Sequence, residues 1–326
     1  MPPWPPDNQY SEFKHNRSLS PYEQELLLRW LRSSDKPEGK SLSIVSPEAI
    51  RPLKKEAPDY AVIQNDIRFK ESLKDTIWTF EIPYELTSSM DVGQIVFDCS
   101  NIPLIHHCNY FILPDGASTN DPGRFSFALG YSPGNQQLPF PTGTGFTLPK
   151  KGKIKGELHI PSILQPTSIN IAFQFYRMKS LFIYSLNLLP IQNLKPNGLN
   201  SLKIPPDSVV TFTGTYTLER NEILTHINPH MHLLGKSTEC FAITPESDTI
   251  PLIRINDWNF NWQDFYEFEK PIALKAGTII VLKMTYDNTA ENILNPNIPP
   301  KEVIEGWFTG QEMFTLLILS KSLRSN

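Results

Sequence analysis

The chain has 326 residues, with 30 Lys and Arg against 34 Asp and Glu and a formal charge of −4. That balance removes any bulk electrostatic case for nucleic-acid binding. The longest apolar runs, such as Ser180 to Pro190, are too short for a membrane helix, which needs about 18 residues or more. The length predicts two domains, each able to bury a core. Thirty prolines, about 9% against a typical 5%, argue against long helices and for a loop-rich β protein.

In chain order, Met1-Pro-Pro-Trp-Pro-Pro6 has neither the charged nor the apolar region of a signal peptide. Ser20-Pro21-Tyr22-Glu23 reads as a helix start, with Ser20 as N-cap, Pro21 in the first helical position and Glu23 closing a capping box. Leu26, Leu27, Trp30 and Leu31 then share one helical face. Met1 to Tyr10 and Ser46 to Pro58 read as irregular. From about Ile77, short β-type runs alternate with turn signals. Strands are predicted at 78–84, 94–97, 109–113, 124–131, 154–159, 168–176 and 181–188. A second series starts near Val209 and runs through 233–243, 252–255, 278–286 and 314–319. Leu148-Pro-Lys-Lys-Gly152 in the first half is echoed by Leu274-Lys-Ala-Gly277 in the second. The spacing suits sandwiches or barrels and not βαβ units.

Three cysteines, Cys99, Cys108 and Cys240, cannot form a disulfide framework, and no C-x-x-C occurs. Histidines carry more information. His230-Met-His232 would put two imidazoles on one face of an extended segment, as two ligands of one ion require; two surface histidines on a loop fit it equally. His106-His107 would point to opposite faces of a regular strand, so joint ligation needs a bulge or a strand end. Taken alone, the pair is an accident of composition. His159, after an amphipathic run, reads singly as structural, and Met313 before the last strand reads as core packing.

Their order along the chain resembles that of the copper type II, ascorbate-dependent monooxygenases. This family includes the peptidylglycine α-hydroxylating and dopamine β-monooxygenases. The chain looks most like bacterial members with an upstream cytochrome c domain. The resemblance rests on His106-His107, Tyr131-x-Pro-Gly134, Leu148-Pro-Lys-x-Gly152 leading to His159, and Pro229-His-Met-His-Leu-Leu-Gly235. It continues through Asp257-Trp-Asn-Phe-Asn-Trp-Gln263, Tyr286-Asp-Asn288, Asn295-Pro-Asn-x-Pro-Pro-Lys301 and Glu312-Met313. It implies two jelly-roll-like antiparallel β-sandwich domains, residues 56–190 and 191–326, behind a helical segment of residues 1–55.

It also implies two copper ions, one per domain, facing a solvent-filled cleft. His106, His107 and His159 would hold one and relay electrons. His230, His232 and Met313 would hold the other, where dioxygen meets the substrate C–H bond. Imidazole serves both copper oxidation states, and a thioether favours Cu(I). Ascorbate or another one-electron donor would be the reductant, with an electron-donating cytochrome as a partner. A small or peptide-like substrate and a periplasmic or secreted location complete the expectation, with no nucleic acid and no membrane. The competing reading is a non-catalytic copper-binding protein or an inert β-sandwich derived from a truncated monooxygenase.

Four features depart from the family. Amidating members have an Arg where Asn228 stands and a Tyr where Leu317 stands, which argues against a C-terminal glycine peptide as substrate. Haem-bearing members carry C-x-x-C-H, absent here, so no haem is expected and residues 1 to about 45 read as a remnant of a cytochrome c-like domain. The paired disulfides of the animal enzymes cannot form. Cys108 reads as a packed thiol in preference to a ligand. Asp257 to Gln263 and Trp307-Phe308 read as inter-domain or core packing, and His226 as an ordinary hydrogen-bonding residue.

Overall fold

The structure is a computed structural model that describes residues 4–32, 56–74, 76–117, 127–131, 137–160, 162–181, 183–189, 195–198, 201–306 and 308–323. The chain forms two compact units, one of Met1–Trp4 with His15–Pro58 and one of Pro5–Lys14 with Asp59–Asn326. In the first unit, helix α1 (Pro21–Arg32) starts as its capping box dictates. The Glu23 carboxylate accepts from the Ser20 backbone N–H at 2.8 Å and hydroxyl at 2.7 Å. Its apolar residues Leu26, Trp30 and Leu31 are exposed.

The second unit is built from strands. Its first half supplies β1 (Tyr60–Phe69), β2 (Thr76–Glu85), β3 (Met90–Cys99), β4 (His107–Pro114), β5 (Phe127–Tyr131), β6 (Gln137–Pro139), β7 (Thr144–Leu148), β8 (Lys151–Ile160) and β9 (Thr167–Arg177). The second half supplies β10 (Tyr184–Leu188), β11 (Lys203–Ile204), β12 (Ser208–Thr217), β13 (Glu222–His230), β14 (Gly235–Ile243) and β15 (Thr249–Ile255). It ends with β16 (Tyr266–Leu274), β17 (Ile279–Asn288), β18 (Val303–Ile304) and β19 (Thr315–Leu323).

Strands β2-β8-β4-β5 form one sheet and β12-β17-β14-β15 another, in the same spatial order relative to the chain. Each faces half of a nine-stranded sheet ordered β1-β9-β3-β7-β10-β19-β13-β16, with β6 beside β3. Both halves therefore make a β-sandwich of jelly-roll topology. The repeated Leu-to-Gly turns are equivalent links, from β7 to β8 and from β16 to β17. The two rolls join where β7 and β10 pair in parallel, Thr144 opposite Tyr184. The expected boundary at 190/191 touches residue 190, outside the described residues.

Alternation explains most of these strands. In β9, Ile169, Ile171, Phe173 and Phe175 are buried while their neighbours are less so. Phe173 lies against Phe80, Phe97 and Tyr110 at ring distances of 5.7, 5.4 and 4.8 Å. A fully buried Phe contributes about 1.5–3 kcal/mol relative to an exposed one. Gly156 lets β4 approach β8, because a Cβ there would lie 2.3 Å from the Asn109 carbonyl oxygen.

Several strands were not anticipated from the sequence, among them β1, β7, β13 and β16. Strand β13 is the most consequential. It lies between β19 and β16 and is buried along nearly its whole length, so it shows no polar face. A bulge between Leu224 and His226 also breaks its period, leaving Leu224 and Ile227 both fully buried. The expected strand at 233–243 begins only at Gly235.

The N-terminus also differs from expectation. Residues 5–14 belong to the second unit and run along the second roll, bridging Pro6 to Ile255 and Phe13 to Phe268. Phe13 is buried against Phe268 and Tyr266, and Asp7 accepts from Arg254 at 2.7 and 3.0 Å. Expectations about Met1, residues 33–55, 118–126, 132–136 and Trp307 fall outside the described residues. All three cysteines are buried free thiols.

Candidate metal centre

Every candidate ligand lies at a strand end. Strand β4 begins at His107, and a short 3-10 turn, Ile102–Leu104, precedes it. His106 is therefore just outside the ladder and is freed from the alternation that would separate it from His107. In the ladder, His107 is directly opposite His159 on β8, a position that brings paired side chains together. The ligand nitrogens of His106, His107 and His159 all lie within 4.8 Å of one another. The Nδ1 atoms of His107 and His159 are 3.4 Å apart. Two nitrogens bound tetrahedrally to one ion at about 2.0 Å would be separated by roughly 3.3 Å. The trio therefore fits a transition metal.

His230 ends β13, and His232 follows it before the turn into β14. Their ring centroids are 5.1 Å apart. Both Nδ1 atoms face oxygen acceptors: His230 meets Gln263 Oε1, and His232 lies 3.0 Å from the Gln311 carbonyl oxygen. An oxygen acceptor requires a proton on Nδ1, which leaves each neutral ring its Nε2 lone pair for a metal. Gln263 is itself oriented by donating through Nε2 to the Phe260 carbonyl at 2.8 Å. On the other set, the Thr309 hydroxyl lies 3.1 Å from His159 Nε2.

Met313 comes to this region through its backbone. The fully buried Glu312 carboxylate accepts from the N–H groups of His232 at 2.8 Å, Leu234 at 2.7 Å and Met313 at 3.3 Å. The Tyr286 hydroxyl donates to the Met313 carbonyl at 2.8 Å. Burial pushes the Glu312 pKa up to about 8 against the lowering effect of its three donors.

The two ligand sets adjoin each other, where the sequence led us to expect a solvent-filled cleft between them. The rings of His107 and His230 are 6.1 Å apart, and the Phe260 ring lies 4.4 Å from His106 and 5.9 Å from His232. Within the aromatic segment 257–263, Phe260 is thus the residue that packs between the two halves. Desolvation, and then repulsion from His232, brings the His230 pKa down to about 3. Burial, then the neighbouring rings beginning with His230, holds His107 well below its ordinary value. Rings that stay neutral keep the lone pairs a metal requires.

The remaining candidates have ordinary roles. Burial raises the Cys108 thiol pKa strongly, and the side chain is part of the first roll's core. His226 is buried, its Nδ1 lying 3.1 Å from the Thr225 hydroxyl. Asn228 and Leu317, the two departures, are direct partners across β13 and β19. The Asn228 amide donates to the Asp264 carbonyl at 2.6 Å. Sequence reasoning gave no role to Gln263, Thr309, Gln311 or Glu312. Gln263 and Glu312 entered there only as members of the stretches that carry the resemblance, Asp257 to Gln263 and Glu312-Met313.

The fold and site define a double jelly-roll protein with a buried multi-histidine centre. No family matches the sequence, and no curated protein matches it. Among solved structures, it is similar to a peptide-N(4)-(N-acetyl-β-D-glucosaminyl)asparagine amidase, with 10% identity, 81% of this chain and 96% of that chain covered, and a TM-score of 0.34. An allantoicase matches at 11% identity over 64% and 77% of the two chains, with a TM-score of 0.22. The infectious bursal disease virus VP2 subviral particle matches at 10% identity over 93% and 77%, with a TM-score of 0.23. Among the described residues, no helix is long and apolar enough to cross a membrane.

Proposed function

We propose that this chain is a copper-dependent monooxygenase that hydroxylates a C–H bond of its substrate with dioxygen and an external one-electron reductant such as ascorbate. The observation that carries this reading is the convergence of five imidazoles from two jelly rolls. They form two adjacent sets, with Met313 tied to one of them through Glu312. His106, His107 and His159 would hold one copper; His230, His232 and Met313 would hold the other. Bound copper supplies one-electron redox chemistry towards dioxygen. The chain's own residues orient the ligands: Gln263 and the Gln311 carbonyl fix two rings, Thr309 meets a third, and Phe260 packs against one ring of each set. Imidazole and thioether donors suit copper better than they suit hard cations.

Asn228 and Leu317 place an amide already in use beside an alkyl side chain, so neither offers a charge to a substrate carboxylate. This favours a substrate other than a C-terminal glycine peptide. A periplasmic or secreted location and an electron-donating cytochrome partner go with the reading. The second reading keeps copper and drops catalysis. It is favoured by the 6.1 Å separation of the His107 and His230 rings, which leaves little room for a substrate between them. The test is metal stoichiometry with oxygen uptake. Two coppers per chain with ascorbate-driven oxygen consumption are expected, and Met313→Ala should abolish hydroxylation while the three-His site stays loaded. Zero or one copper in the unmodified chain would sink the proposal. Two coppers without oxygen uptake under any reductant would leave the second reading.

A further inference from the structure

We propose that Glu312 is a positioning residue that sets the spacing of His232 and Met313 around one soft cation. The inference rests on the reading of His230, His232 and Met313 as metal ligands. Its geometry is specific. One carboxylate oxygen accepts from both the His232 and Met313 N–H groups, and the other accepts from Leu234. The turn after β13 and the entry to β19, about 80 residues apart in sequence, are thereby fastened at a single side chain. A hydroxyl or an amide could close either turn separately. Only a carboxyl, with two oxygens that can both accept, takes all three donors from one side chain; the NH2 of an amide would oppose one of them.

Burial provides the second observation. Glu312 has 0% exposure, and a buried carboxyl is kept only where its oxygens find hydrogen-bond partners in place of water. Here the partners are three backbone N–H groups, two of them belonging to the proposed ligands His232 and Met313. The side chain is therefore committed to the spacing of those two residues.

The experiment compares the unmodified chain with Glu312→Gln, which keeps the shape and removes one acceptor. Cu(I) is titrated anaerobically against a chromogenic chelator, and sulfur scattering is read at the copper absorption edge. Far-UV circular dichroism of the metal-free proteins checks folding. The expected result is a folded variant whose three-His copper is unchanged, whose second Cu(I) is held at least about tenfold more weakly, and whose copper–sulfur signal is lost. If Glu312→Gln does not fold, Glu312→Asp is read by the same criteria, since its shorter arm cannot span all three donors. Wild-type affinity and full sulfur scattering in the folded variant would overturn the role of Glu312 alone. Absence of the sulfur signal from the unmodified chain would instead overturn the ligand assignment, and this inference with it.

Discussion

Removing the Phe260 ring tests whether the two ligand sets are joined as described. The side chain is 6% exposed and its ring contacts His106 at 4.4 Å and His232 at 5.9 Å, one from each jelly roll. Burial of a Phe side chain contributes about 1.5–3 kcal/mol. The two ring–ring contacts add about 0.5–1.5 kcal/mol each. Phe260→Ala should therefore cost about 3–5 kcal/mol, the range for emptying an aromatic core site. Phe260→Leu, which keeps most of the volume, should cost about 1–3 kcal/mol, chiefly the lost ring contacts. The assay is urea unfolding of the metal-free chain at pH 7, followed by tryptophan fluorescence. If both variants stay within about 0.5 kcal/mol of wild type, as surface substitutions do, the ring does not join the sets and the argument fails.

Gln263→Leu removes the acceptor that holds the His230 ring. Affinity for the copper at that set should fall about 10- to 100-fold in a Cu(I) competition titration, with the three-His set unaffected; equal affinity would show that Gln263 does not orient the ring. His226 gives a pH prediction. Its folded pKa is about 4, mainly through burial, below the roughly 6.5 of an exposed His. The unfolded chain therefore binds the extra proton first, and this contribution is present above about pH 6.5 and lost as pH falls towards 4, by roughly 3 kcal/mol. His226→Gln should flatten the melting temperature of the metal-free chain across that window, and an unchanged slope would refute the assignment.

Much of the fold was legible because alternation records one-sided burial. Strands such as β2 and β9 carry their apolar residues at every second position, and the α1 capping box acts within four residues of chain. The repeated Leu-to-Gly turns likewise marked equivalent corners of the two rolls. Strand β13 was not legible: it is covered on both faces and its bulge shifts the parity, so no local period survived. The strap at residues 5–14 was missed for another reason. Its Pro-rich sequence forms only isolated bridges, and its partners Arg254 and Phe268 lie some 250 residues away.

By itself, the sequence determined the residue types at the candidate centre: six soft or borderline donors in a fixed order, at positions compatible with strands. It left open whether they meet. Only the tertiary structure put His106 just ahead of β4, where alternation no longer separates it from His107, and set His159 opposite His107 across the ladder. Only it brought Gln263, Thr309 and the Gln311 carbonyl to the rings, Glu312 to the backbone of His232 and Met313, and Phe260 between the two sets. The physical reason is common to all of these. A ligand's identity is a property of one side chain, whereas its orientation depends on groups far away in sequence that leave no local pattern.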